Sequence, residues 1–391
     1  MTLTAARPTI PAGRYADRLG RARETLGRRG AAALLIGTGA DLRYLTGYVA
    51  MPLERLTMLA LAVDGPATLV APRLEAMAAA DSPAGEAGLV EIAAWDETDD
   101  PHALVAERLR PQLDRTAMDA RLLVSDTLWA MHVLALQDAL PGRPFGLATE
   151  VMRELRMRKD AEEVALLRLA AHAADRVMTA IAHGPLIGRT EAEVSAEIAE
   201  RLRDEGHDFG EFGIVASGPN AASPHHHPGD RRIAAGEPVV FDLGGPLGGY
   251  KSDTTRTVWV AGPGRASGPD EEFLRVYDLV KQANEAATNA VRPRAECADL
   301  DGVARDVITA GGYGEQFLHR TGHGIGLETH EDPYLVGGSP DTLAEGTAFS
   351  IEPGIYLEGR YGVRIEDIVV CGPSGPDVLN ESTRELLVVA G

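Results

Sequence analysis

The chain has 391 residues, 58 acidic against 38 basic, and a formal net charge of −20. A surplus of that sign argues against a nucleic-acid partner and against an anionic membrane surface. The hydrophobic share of 45% is enough to build buried cores, and the length suggests two or three domains. Cys297 and Cys371 make no disulfide framework, and the first residues carry no apolar leader. With no apolar run of about 18 residues, a cytoplasmic protein outside the membrane is expected.

From the N-terminus the pattern reads as an α/β unit. Tyr15 to Arg29 has helical spacing and stops before Gly30, and AAALLIG (31–37) reads as a buried strand. Residues 56–72 are two apolar runs around Asp64-Gly65, a hairpin signal, and VEIAAW (90–95) is a further strand. Pro101 to Leu109 and Asp126 to Leu140 read as helices. PGRPFGLA (141–148) is punctuated by Pro and Gly and reads as a linker, which sets domains at 1–148 and 149–391. Beyond it a helical pattern from Thr149 to Ala182 breaks near Lys159-Asp160. Thr190 and Glu193 predict a capping box for a helix reaching Glu205. The strand-like runs GIVAS, PVVFDLG and TTRTVWVAG follow. Helices are expected near 270–291 and 298–311, and GHGIGL, GTAFSIEPGIYL and GVRIEDIVVCG return to strand. No tandem repeat is present.

Five residues of the second half read as one metal site: Asp242 in FDLGG, Asp253 in SDTTRT, His323 in GHGIG, Glu352 in IEPGIY and Glu366 in RIED. Four carboxylates and an imidazole cannot converge without cations. Hard oxygen donors with one nitrogen suit Mn²⁺, Co²⁺, Fe²⁺ or Zn²⁺, and bridging carboxylates can share two ions that hold a hydroxide. A strand-end Asp alone is more often a turn former. The glycine-rich segment 244–249 allows a hairpin, so Asp242 and Asp253 can meet across adjacent strands. The glycines beside His323 let the backbone approach an ion. His330 shares no helical face with His323, so one is expected as a ligand and the other as a proton-handling group. Arg364 stands two residues before Glu366, on the same face of a strand, and could orient a carboxylate ligand; alone, the two read as an ordinary strand pair. His226 and His227 read as solvated loop residues, as would His225 but for its spacing. His102, His132, His172, His183 and His207 receive no functional role, and both cysteines read as inert.

The order FDLGG, SDTTRT, GHGIGLETHE, SIEPGIY, RIED resembles the pita-bread metallopeptidases, the family of methionine aminopeptidase, Xaa-Pro aminopeptidase and prolidase. The resemblance covers most of residues 150–391, and the front half resembles a creatinase-type N-terminal domain, most visibly in DLRYLTGY (41–48). It implies an α/β N-terminal domain followed by an α+β pita-bread catalytic domain. It also implies Asp242, Asp253, His323, Glu352 and Glu366 as ligands of two divalent ions, Mn²⁺ first among the candidates, with Asp253 and Glu366 contacting both. His225 and His330 match its two non-ligand histidines, which would stabilise an oxyanion and position substrate. Glu352 would move the proton of the attacking water. His319, Arg364 and Tyr356 match residues that line or support the site. The implied substrate is a peptide with proline at its second position, and the implied assembly is a homodimer.

The chain departs from some prolidases where an arginine would hold a dipeptide carboxylate, because HEDPYLV has Tyr334 there. That argues against strict dipeptidase action. The complete ligand set argues against creatine hydrolysis and against a non-catalytic binding module. A hydrolase of an ectoine-type amide or a dimethylsulfoniopropionate lyase on the same scaffold stays open.

Overall fold

The computed structural model describes residues 7–265 and 267–390. Their contacts form two compact units, one over Ile10–Arg156 and one that includes Met157 onward.

The first unit is a six-stranded mixed sheet with helices. Its strands are β1 (Ala31–Ile36), β2 (Met58–Ala62), β3 (Thr68–Pro72), β4 (Glu91–Trp95), β5 (Arg121–Val124) and β6 (Phe145–Leu147), in the order β4-β3-β2-β1-β5-β6. Only β2 runs against its neighbours. Every residue of β1, β2 and β3 is buried, which explains why these strands read as unbroken apolar runs. Helix α1 (Ala12–Arg29) ends where Gly30 adopts φ 63°, and Gly65 (φ 80°) turns the β2–β3 hairpin. DLRYLTGY forms helix α2 (Ala40–Thr46); α3 (Ala76–Ala80) and α4 (Pro83–Glu86) are short. Helices α5 (Pro101–Leu113) and α6 (Ala130–Ala139) complete a core that includes Leu35, Met58, Val70, Val105, Leu109 and Leu136.

PGRPFGLA is not a linker. Its Phe145–Leu147 stretch pairs with β5, a strand that the apolar pattern had not revealed. Helix α7 (Thr149–Met157) also belongs almost wholly to the first unit. Arg121 Nη2 donates to Glu150 at 2.7 Å, Tyr44 Oη donates to the Leu155 carbonyl at 3.1 Å, and Arg156 Nη1 donates to Asp41 at 2.8 Å. The division therefore falls after Arg156.

The second unit begins with α8 (Ala161–Ala182) and α9 (Glu191–Asp204), which open on the capping boxes Asp160/Glu163 and Thr190/Glu193. Strands β7 (Phe212–Ser217), β8 (Glu237–Leu247) and β9 (Tyr250–Val260) follow. Gly248 and Gly249, at φ 63° and 90°, close β8 and β9 as a two-residue turn that demands left-handed backbone. Val177, Ile181, Val194 and Ile198 of the helices pack with Phe241 and Val258 of the hairpin. Helices α10 (Glu271–Ala290) and α11 (Cys297–Ala310) then cover a second sheet built from β10 (Gly322–Gly324), β11 (Glu331–Leu335) and β12 (Ala348–Ile351). After a β13–β14 ribbon (Gly354–Leu357 and Tyr361–Arg364), strands β15 (Asp367–Cys371) and β16 (Pro376–Val378) finish that sheet in the order β11-β10-β12-β15-β16. The final strand, β17 (Leu387–Val389), returns to run parallel along β9.

Candidate metal centre

Asp242 stands opposite Thr255, and Asp253 stands opposite Gly244. The two aspartates are diagonal neighbours on one face of the β8–β9 hairpin, close enough to share a site. The hairpin thus joins them as the sequence predicts, but Gly244 to Leu247 remain in strand and only Gly248-Gly249 turns. β9 also captures the Glu366 segment. The Glu366 amide donates to the Thr255 carbonyl at 3.1 Å, and Thr255 Oγ1 donates to Glu366 Oε2 at 2.7 Å.

His323 arrives from the second sheet. A Cβ on Gly322 would collide with the Ser350 carbonyl oxygen, and one on Gly324 with that of Asp332. The two glycines therefore let strands close up around His323. The Gly324 carbonyl accepts from Nδ1 at 3.1 Å, which leaves Nε2 facing Glu352 Oε1 at 3.2 Å and Asp253 Oδ2 at 3.7 Å. Ser350 Oγ accepts from the His323 amide at 3.1 Å and donates to Glu352 at 3.3 Å. Donor atoms of Asp253, His323 and Glu366 lie within 4.8 Å of one another. Asp242 and Glu352 line the same cleft, of about 600 Å³, with His225, His330, His319 and Arg364.

Arg364 is buried and holds Asp242 rather than Glu366: Nη2 donates to Asp242 Oδ2 at 2.7 Å. Both side chains still face the same cleft, as their spacing predicts, and both meet Thr255 Oγ1, although β14 ends at Arg364 and Glu366 crosses to bridge β9. Arg364 also donates to the Tyr356 hydroxyl at 2.9 Å and the Pro224 carbonyl at 3.3 Å. His319 Nδ1 donates to the Arg320 carbonyl at 2.7 Å, so its Nε2 accepts from Tyr356 Oη at 2.8 Å. Burial pushes the Tyr356 phenol up to about 12, which keeps that proton in place. His330 packs on His323, ring centroids 4.1 Å apart; desolvation, then His323, lowers it to about 4 and leaves a neutral imidazole.

The donor set fits divalent cations. Burial, then neighbouring carboxylates, raises Asp253 and Glu366 well above the carboxylate range, and burial raises Asp242 despite Arg364. Burial opposes ionisation of Glu352 too, but its bond to His323 brings it down to about 2. Asp242 Oδ1 and Glu366 Oε1 are buried and accept no hydrogen bond among the described residues. One guanidinium cannot offset four such carboxylates, and buried anions need a cation or a proton.

Three positions differ from or escape the sequence reading. His226 is not solvated: its Nε2 donates to Glu191 at 2.8 Å. Glu191 carries no distinguishing sequence signal, because an acid at the first position of a helix reads as an ordinary dipole partner. Arg320 lines the cleft with its guanidinium 4.4 Å from the Tyr334 ring, and its place three residues before His323 was the available signal.

Residues 165–373 match the model of metallopeptidase family M24, and residues 18–158 match the creatinase/prolidase N-terminal domain. The chain belongs to metallopeptidase family M24. This M24 metallopeptidase is 44% identical over 376 residues to the probable dipeptidase PepE of Mycobacterium tuberculosis, covering 96% of each chain. Dipeptidase PepE from Mycobacterium ulcerans superimposes with a TM-score of 0.89 at 44% identity, over 97% of this chain and 99% of that one. Prolidase from Thermococcus sibiricus gives 0.85 at 36% identity, over 96% and 99%. Membership of M24 implies a divalent metal, and the α/β front domain with an α+β catalytic domain is the family's architecture.

Proposed function

We propose that this M24 enzyme hydrolyses dipeptides with proline at the second position, using two divalent ions, manganese first, held by Asp242, Asp253, His323, Glu352 and Glu366. The observation that carries the reading is the convergence of those five side chains on one cleft, with two of their buried oxygens accepting no hydrogen bond among the described residues. Such ions supply Lewis-acid activation of water and of the scissile carbonyl. Glu352 takes the proton of the attacking water and passes it to the leaving nitrogen. His225 and His330, on the cleft wall, donate to the developing oxyanion. Arg364, tied to Asp242, Tyr356 and Thr255, fixes Asp242 in orientation and, through Tyr356, links it to His319.

Arg320 supports a dipeptide over a longer peptide. It forms no ion pair among the described residues and faces the cleft, braced on Tyr334. A guanidinium so placed suits the terminal carboxylate of a dipeptide, a role for which HEDPYLV itself offers only Tyr334. Phe212 and Ile214 give the cleft an apolar wall suited to a proline ring. The relatives' names point the same way: one solved structure is a prolidase, another an Xaa-Pro dipeptidase from Bacillus anthracis. Homodimer assembly and a cytoplasmic location remain part of the proposal.

The test is turnover by the Mn²⁺-loaded enzyme of Xaa-Pro dipeptides, Xaa-Pro tripeptides and dipeptides without proline, beside ectoine and dimethylsulfoniopropionate, with bound metal counted. Preference for Xaa-Pro dipeptides at two ions per chain is expected. No peptide cleavage, with conversion of either small molecule, overturns the reading.

A further inference from the structure

Glu191 is wholly buried at the start of α9 and does not line the cleft, yet it gathers the segment that does. Its Oε1 accepts from the Ser217 amide at 2.8 Å, from Ser217 Oγ at 2.7 Å and from Asn220 Nδ2 at 3.1 Å. Its Oε2 accepts from His226 Nε2 at 2.8 Å and again from Asn220 at 3.1 Å. The helix backbone adds two more ties, since the Glu191 amide donates to the Arg231 carbonyl and the Ala192 amide to the Gly229 carbonyl, both at 3.0 Å. Both ends and the middle of segment 217–231 are therefore held by one helix terminus. Between those ties, Pro224 and His225 face the cleft.

Among the described residues, no lysine or arginine bonds this carboxylate directly; the Arg231 guanidinium stands one hydroxyl away, its Nη1 donating to Ser217 Oγ. A buried anion without such a partner is costly unless its hydrogen bonds are complete. A fold that needed only a stable helix start would not require one, because Thr190 and Glu193 already cap α9. The adjacent side chains of His225 and His226 diverge, one to the cleft and the other to Glu191.

We infer that Glu191, acting through His226 and the 217–220 turn, is a positioning residue that sets where His225 stands in the cleft. The inference rests on the reading that His225 acts on substrate. Catalytic power is sensitive to displacements of an ångström, and His225 has no side-chain hydrogen bond of its own among the described residues to fix it.

The experiment is a double-mutant cycle on the metal-loaded enzyme with an Xaa-Pro dipeptide: Glu191→Gln, His226→Gln, His225→Ala, and each of the first two combined with His225→Ala. Glu191→Gln and His226→Gln are expected to lower kcat roughly 10- to 100-fold, with KM and metal content nearly unchanged. Each double variant should be no slower than His225→Ala alone, because the positioning acts through the missing side chain. Losses that multiply in the double variants, or full kcat in both single variants, overturn the inference while leaving the role of His225 intact. Wild-type activity in His225→Ala overturns the role of His225 and the inference with it. Should Glu191→Gln fail to fold, the His226→Gln cycle decides alone.

Discussion

His207 and Ser252 form a buried pair beside a proposed ligand. His207 is buried; its Nδ1 donates to the Leu202 carbonyl at 3.2 Å and its Nε2 accepts from Ser252 Oγ at 2.8 Å, one residue before Asp253. Burial lowers its folded pKa from 6.5 to about 4. A depressed pKa means that the unfolded chain binds the proton first. The contribution of His207 is therefore complete above pH 6.5 and fades as pH falls towards about 4. The full effect is about 3 kcal/mol. Urea denaturation between pH 7 and pH 4 should show this acid slope in the wild type and a flatter one in His207→Gln; identical slopes would refute it. At this scale the five proposed ligands were legible because acids and a histidine amid apolar strand residues violate the local pattern. Glu191 and His226 were not, since their burial is created by a segment folding back over a helix start.

Among the elements, short-range chemistry was the most readable. The Thr190/Glu193 capping box, the Asp64-Gly65 hairpin and the break before α8 all depend on residues close to one another in sequence. PGRPFGLA reads as a linker because its pairing with β5 is not encoded within those eight letters. The glycines around His323 read in sequence as room for an ion to approach, whereas in the structure they make room for neighbouring backbone. Replacing Gly322 by Ala drives a methyl into the Ser350 carbonyl, part of β12, and backbone cannot yield as a flexible side chain would. Gly322→Ala should cost roughly 1–3 kcal/mol and weaken metal retention, because it separates His323 from Ser350 and Glu352. Urea melts with parallel metal titration check this; an unchanged midpoint and unchanged metal content would count against it.

For the molecule as a whole, the charge of −20 has a local counterpart in the cleft. Asp253 and Glu366 are both raised well above the ordinary carboxylate value, first by burial and then by neighbouring carboxylates. Anything that binds only the folded state stabilises it by mass action, by about 2.7 kcal/mol at a hundredfold excess over Kd. Chelator should therefore lower Tm, and added Mn²⁺ should raise it with each increment of free ion; a Tm indifferent to both would contradict the metal reading. The family and its two-part architecture were legible from motif order. The point where the chain divides was not, because α7 is tied to the first unit by side-chain bonds to residues far upstream.

β17 carries a consequence for biosynthesis. The strand bearing Asp253 is flanked by β8 on one side and by residues 387–389 on the other. That second edge, at Val258–Val260, stays open until residues 387–389 have been made and have folded back, and an open strand edge invites pairing with foreign chains. Glu352 and Glu366 are also late arrivals. Until residues 352–389 are in place, β9 thus lacks its late edge partner and the proposed ligand set is incomplete, so a chain halted short of them keeps an unprotected flank.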